Sequence, residues 1–151
     1  MRYRIVAVGK LKEPFYRSGV QHYLGRLRAL APCEVHEVRE GKGDTAAVKR
    51  AEGAALLAAA DGRVVALHEG GRTFDTRGLA RHMEQLELNG GSRVSLLIGG
   101  ANGHDEQLLA AVDESWSLGP LTLPHDLARL VLVEQLYRVE TVRAGHPYHR
   151  D

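Results

Sequence analysis

At 151 residues, with 44% hydrophobic and 26% charged residues, the chain has the size and composition of one globular domain (residues 1–151), which excludes a disordered or fibrous protein. No apolar run is long enough to span a bilayer and no signal-peptide pattern opens the sequence, so the expected location is cytoplasmic with no membrane partner; the single cysteine, Cys33, excludes an internal disulfide and a cysteine-built zinc site. Net charge is +1, but residues 1–50 hold 11 Lys and Arg against 5 Asp and Glu and the remainder 9 against 14, which leaves a basic N-terminal third suited to a polyanion.

In chain order, Tyr3 to Val8 reads as a strand ended by Gly9. Pro14 opens a helix whose apolar side is Phe15, Val20, Tyr23, Leu24 and Leu27, with Arg17, Arg26 and Arg28 elsewhere on its surface. Cys33 to Val38 is a second strand, and Ala46 to Ala60 an alanine-rich helix. Arg63 to Leu67 is a third strand, followed by a loop through Gly70-Gly71. Asp75 or Thr76 caps a helix running to about Leu88.

Val94 to Ile98 is a nearly continuous apolar run between glycines, the pattern of a strand buried on both faces. Gly99, Gly100 and Gly103 then end it before a helix from about Asp105 to Glu114. Without Cβ atoms, such a loop lets backbone N–H groups approach a ligand closely. Residues 115–125 have little helical character, and Asp126 to Val142 forms a long last helix, apolar on more than one face. The alternation of strands and helices predicts an α/β fold, a mostly parallel sheet flanked by helices. Ligands then gather at the carboxyl ends of the strands, here the loops after Leu67 and Ile98.

Familiar motifs are mostly missing. No Gly-x-Gly-x-x-Gly follows the first strand, and there is no Walker loop, Gly-x-Ser-x-Gly elbow or His-Glu-x-x-His helix. His146 and His149 share a spacing that suits a metal but lack a third ligand nearby, so no metal is expected. Glu134 and Arg138, at i and i+4 on the last helix, form a pair that supports the helix or, if buried, orders a site.

Taken in order, Leu96-Leu97-Ile98-Gly99-Gly100-x-x-Gly103, Ser115-x-Ser117, Leu121-Thr122-Leu123-Pro124-His125, Glu134-Gln135-Leu136-Tyr137-Arg138 and Tyr148-His149-Arg150 resemble the family of ribosomal large-subunit pseudouridine methyltransferase H. The opening Ile5 to Lys10 matches as well, so the likeness runs the length of the chain. The resemblance implies a SPOUT-type fold with a C-terminal trefoil knot, which periodicity alone would never suggest. It implies a homodimer that uses S-adenosyl-L-methionine to methylate N3 of a pseudouridine in large-subunit (23S) ribosomal RNA on assembled ribosomes. Carried over by position, the donor site is Leu67, Gly100 and the segment Gly119, Pro120, Leu121, Thr122, Leu123, Pro124.

N3–H of a pseudouridine is a weak acid, so transfer needs a base or a cation facing the developing anion. His125, Tyr148 and His149 are the candidates for proton handling, and Arg138 and Arg150 for charge, with Glu134 and Arg138 ordering the tail. RNA phosphates are expected on Lys10, Lys12, Arg17, Arg26 and Arg28. Two other readings stand beside this one: a non-catalytic α/β RNA- or nucleotide-binding module, and a SPOUT methyltransferase acting on transfer RNA.

Overall fold

A computed structural model describes residues 1–151. The strands are β1 (Arg2–Val8), β2 (Cys33–Val38), β3 (Arg63–Arg72), β4 (Arg93–Ile98) and β5 (Glu114–Trp116). The helices are α1 (Pro14–Arg28), α2 (Thr45–Ala59), α3 (Thr76–Leu88), α4 (Glu106–Ala111) and α5 (His125–Arg143). All pairings in the five-stranded sheet are parallel, in the order β2-β1-β4-β3-β5.

The two apolar runs lie in the middle of the sheet, because only a strand covered on both faces gains from apolar residues in succession. Ile5 of β1 faces Leu96 of β4, and Val6 faces Leu97. One face, with Ile5, Val65 and Leu96, packs on α1, α3 and α5; the other, with Val6, Ala66 and Leu97, packs on Leu56 of α2 and Leu108 of α4. Helix starts follow local chemistry. Asp44, Asp75 and Asp105 each accept a hydrogen bond from the backbone N–H three residues on, at 2.8, 2.6 and 2.9 Å.

Four expectations need correction. The helix expected from Asp105 to Glu114 stops at Ala111, and the chain enters the fifth strand. Asp113 causes this: its N–H donates to the Val64 carbonyl, and its carboxylate accepts from the Val64 N–H at 2.8 Å. The third strand runs past Leu67 to Arg72 through a register shift, and a Cβ on Gly71 would meet the Ser115 carbonyl at 2.6 Å, so the glycines there permit close pairing instead of ending the strand. Phe15 does not join the apolar side of α1 but is 62% exposed. The last helix begins at His125.

The strand order places β4 between β1 and β3, so the chain steps outward to β5 and must return for α5 to reach both α1 and α3. The carboxyl end of β4 therefore lies beside the middle of β3, where their pairing stops at Ala66 and Leu97, and the β5–α5 connection forms the facing wall of the cleft there.

Candidate active site

A cleft of about 820 Å³ opens at the carboxyl end of β4 and the middle of β3. Its floor is Leu67, Ile98 and the turn Gly99 to His104; its other wall is Leu118, Gly119, Leu121 to Pro124 and the first turn of α5. Volume and mixed lining suit a small organic ligand with several backbone partners. Of the residues expected to hold a donor, Leu67, Gly100, Gly119, Leu121, Thr122, Leu123 and Pro124 line the cleft, and Pro120 does not. Pro120 is exposed on the same connection, where its ring fixes the backbone φ.

Two devices fix this cleft. In the glycine turn, Gly103 donates its N–H to the Gly100 carbonyl at 3.0 Å and adopts φ +74°, a region that glycine enters at no steric cost. Behind Gly100 stands Glu52 of α2, buried, with one oxygen accepting from the Gly41 N–H at 3.0 Å and the other without a partner. A Cβ on Gly100 would lie 2.9 Å from that free oxygen. On the other wall, Ser117 anchors the connection: its N–H donates to the Arg72 carbonyl at 2.9 Å, and its hydroxyl accepts from the Gly119 N–H at 3.1 Å.

The polar tail forms a separate cluster. After α5, Gly145 at φ +72° turns the chain back along the helix. Glu134 then accepts from Tyr148 Oη at 2.9 Å, from Arg138 Nη2 at 2.7 Å and from Gln135 Nε2 at 2.8 Å. The Arg138 guanidinium lies 4.6 Å from the Tyr148 ring centroid, a cation–π contact. Burial and the Glu134 carboxylate beside it push the Tyr148 phenol up to about 12, so it keeps its proton at neutral pH.

Arg138 Nη1 also donates to His149 Nδ1 at 3.2 Å. A guanidinium can only donate, so Nδ1 is the accepting nitrogen and Nε2–H donates to Asp151 at 3.0 Å. Both ring nitrogens are thus engaged. Arg150 is exposed and makes no ion pair or hydrogen bond.

His125 alone among the proton-handling candidates lines the cleft, with Nε2 3.3 Å from Asp126. Glu134, Arg138, Tyr148, His149 and Arg150 do not line it. The reason is helix geometry. Glu134 lies nine residues beyond His125, at the middle of α5 and about 14 Å along the axis, and the tail folds back onto that part of the helix. The expected site residues therefore fall into two groups, one at the start of α5 and one against its middle and the tail.

Two functional-looking residues escaped the sequence reading. Besides Glu52, Arg129 of α5 is 2% exposed, donating to Glu37 at 2.7 Å and to the Gly9 carbonyl at 2.9 Å, and so ties the helix under the cleft to the ends of β1 and β2. Both carried a readable signal, a charge in phase with an apolar stripe: Glu52 precedes Leu56 by four, and Arg129 precedes Leu132 and Val133 by three and four.

A family model described as "Predicted SPOUT methyltransferase" matches residues 1–149. The chain is 46% identical over 151 residues to the ribosomal RNA large subunit methyltransferase H of Thermus thermophilus, covering 99% of both chains. It is 46% identical over 149 residues to the protein of that name from Gluconacetobacter diazotrophicus, covering 97% and 96%. The counterpart from Chromohalobacter salexigens is 44% identical over 156 residues, covering 99% and 100%. Among solved structures, a methylase family protein from Haemophilus influenzae superposes with TM-score 0.57 at 13% identity, covering 99% of this chain and 70% of that one. A methyltransferase from Legionella pneumophila in complex with SAM superposes at 0.50 with 10% identity, covering 95% and 66%. These two likenesses concern the fold.

Proposed function

Because the chain belongs to the ribosomal RNA large subunit methyltransferase H family of SPOUT methyltransferases, we propose that it methylates N3 of a pseudouridine in 23S ribosomal RNA, with S-adenosyl-L-methionine as donor. The observation that carries this reading is the cleft: seven of the eight residues expected to hold the donor converge on it from three separate segments. No metal is part of the proposal.

The cleft fits the donor by size and by chemistry. A nucleoside needs an apolar slot with backbone donors and acceptors; Leu67, Ile98 and Leu123 supply the first, and the turns at Gly100 and Gly119 the second. When bound, the donor supplies an electrophilic methyl on a sulfonium. The chain's own residues align it, exclude water and deal with the N3 proton.

The tail supplies the nucleobase side. Glu134 and Arg138 are positioning residues that hold Tyr148 and His149; Arg150, the tail cation without a partner, faces the developing uracil anion. With the Tyr148 phenol protonated and both His149 nitrogens bonded, neither is free to accept a proton in this arrangement. His125 in the cleft and charge stabilisation by Arg150 carry that step.

Since the tail packs against the middle of α5 and none of its residues lines the cleft, one chain does not complete a site. We assign the complete site to a homodimer, in which the tail of one subunit reaches the cleft of the other. Leu121, 79% exposed at the cleft's edge, and the exposed Phe15 support a covering surface. The finer architecture of the family, the C-terminal knot and a single domain, is part of the same reading; α5 returning past β3 to reach α1 supports it.

The five basic residues expected on the RNA differ in how freely they can move to meet it. Arg17, Arg26 and Arg28 each donate to a partner within the chain, whereas Lys10 and Lys12 are exposed at the carboxyl end of β1 without one. Lys10 and Lys12 are therefore the most mobile of the phosphate-binding cations, with the charges of Arg17, Arg26 and Arg28 held in place.

Methyl transfer from labelled donor to ribosomes and free large subunits lacking the modification tests the function. Label at N3 of one pseudouridine is expected on ribosomes; label only on transfer RNA would replace the substrate, and donor binding without transfer would favour a binding module.

A further inference from the structure

The cleft holds ionisable groups that the mechanism above does not use: Lys49, His68, Glu69 and His104. His104 is the most constrained of them. The tight turn at Gly100 to Gly103 folds the chain back so that the ring lies over Gly99, where an added Cβ would stand 3.3 Å from Cε1. Nε2–H donates to the Leu97 carbonyl at 3.3 Å, with the Leu67 carbonyl also within reach. The imidazole thus joins the end of β4 to the middle of β3 at the floor of the cleft. Replacing it would remove a titratable group from the cleft while leaving every side chain assigned above in place.

Resting on the donor reading of this cleft, we propose that His104 is a positioning residue that makes the cleft selective for the charge on the ligand's sulfur: the neutral ring admits the sulfonium donor, and the imidazolium repels it while tolerating the neutral thioether product. Geometry places the ring in the cleft wall, so a ligand there stands within the reach of its charge. Burial holds the ring below the ordinary histidine range, helped by the neighbouring His68 and opposed by the Leu97 carbonyl and Asp105. The other titratable groups facing the cleft are His68 and Glu69 of β3, Lys49 of α2 and His125 of α5.

The sign follows. A ring with a lowered pKa is neutral at and above neutral pH and takes up a proton only in acid, so donor affinity is flat at high pH and falls below the histidine range. A unit charge roughly 8–10 Å away at an effective dielectric near 20 to 40 changes affinity by about tenfold. The thioether product carries one positive charge fewer, so its affinity changes much less.

Calorimetric titration with S-adenosylmethionine and S-adenosylhomocysteine between about pH 8 and about pH 5, on the native protein and on His104→Gln, tests this. Glutamine keeps an N–H for the Leu97 carbonyl but cannot be charged. For the native protein the donor should weaken about tenfold relative to the product as pH falls, and for His104→Gln that ratio should stay constant. A constant native ratio, or the native slope retained in the variant, overturns the proposal. Failure of both nucleosides to bind at pH 8 would instead overturn the donor-site reading beneath it.

Should the variant not fold, a histidine proton NMR titration of the native protein decides. The His104 midpoint should fall when the donor is bound and not when the product is bound; equal midpoints overturn the proposal.

Discussion

Glu134→Ala will lower turnover by about two orders of magnitude while changing donor affinity by about threefold or less. Glu134 is the common acceptor of the tail cluster, taking hydrogen bonds from Tyr148, Arg138 and Gln135. Removing it leaves the Arg138 guanidinium beside a phenol and an imidazole with no anion between them, and a half-buried cation without its partner is costly. The segment from Gly145 to Asp151 then loses its registration against α5, and Arg150 with it. Alignment lost by about 1 Å costs on the order of a hundredfold in rate. The donor cleft, which reaches only the first turn of α5 and is not lined by Glu134, is untouched. Steady-state rates together with donor calorimetry check this; equal losses in turnover and donor affinity would mean that the tail lines the donor site.

The converse substitution is Gly100→Val. A Cβ there would meet the free Glu52 oxygen at 2.9 Å and Val8 Cγ1 at 3.2 Å, and valine adds two methyl groups to that clash. Neither neighbour can retreat. Glu52 is buried and held by the Gly41 N–H, and Val8 is 2% exposed within the smaller core. The turn must therefore move outward, into the cleft. Donor affinity should fall by about a hundredfold or more, with an overpacking cost of about 1–3 kcal/mol in stability. Calorimetry gives the first and a denaturant melt the second. Native donor affinity in a folded Gly100→Val protein would remove the glycine turn from the donor site.

The sequence made the fold's centre easy to read and its edges hard. The central strand at Val94 to Ile98 announced itself because burial on both faces demands unbroken apolar residues. The edge strand Glu114–Trp116 did not, since three residues in Glu-Ser-Trp show no period and are held by pairing with β3. Gly70 and Gly71 read as a loop because glycine commonly ends strands, whereas Gly71 lies where the Ser115 backbone approaches too closely for any Cβ. At the site, the glycine turn and the Leu121–Pro124 segment were legible as motifs. Glu52 and Arg129 were passed over, because a single charge on an apolar stripe is visible in sequence but its partners, Gly41, Glu37 and Gly9, are distant along the chain. Helix length was readable too, but only the structure showed the tail folded back onto Glu134 at the middle of α5, away from His125 in the cleft.

The shared site is tested most directly by mixing two inactive proteins, Gly100→Val and Glu134→Ala, so that subunits exchange at random. With the tail acting across the interface, half of the dimers are mixed and each has one site with both an intact cleft and an intact tail, so about one quarter of native methyl transfer returns. With the tail acting within its own chain, every site carries one fault and the mixture stays as inactive as its parts, which would contradict a site built from two subunits.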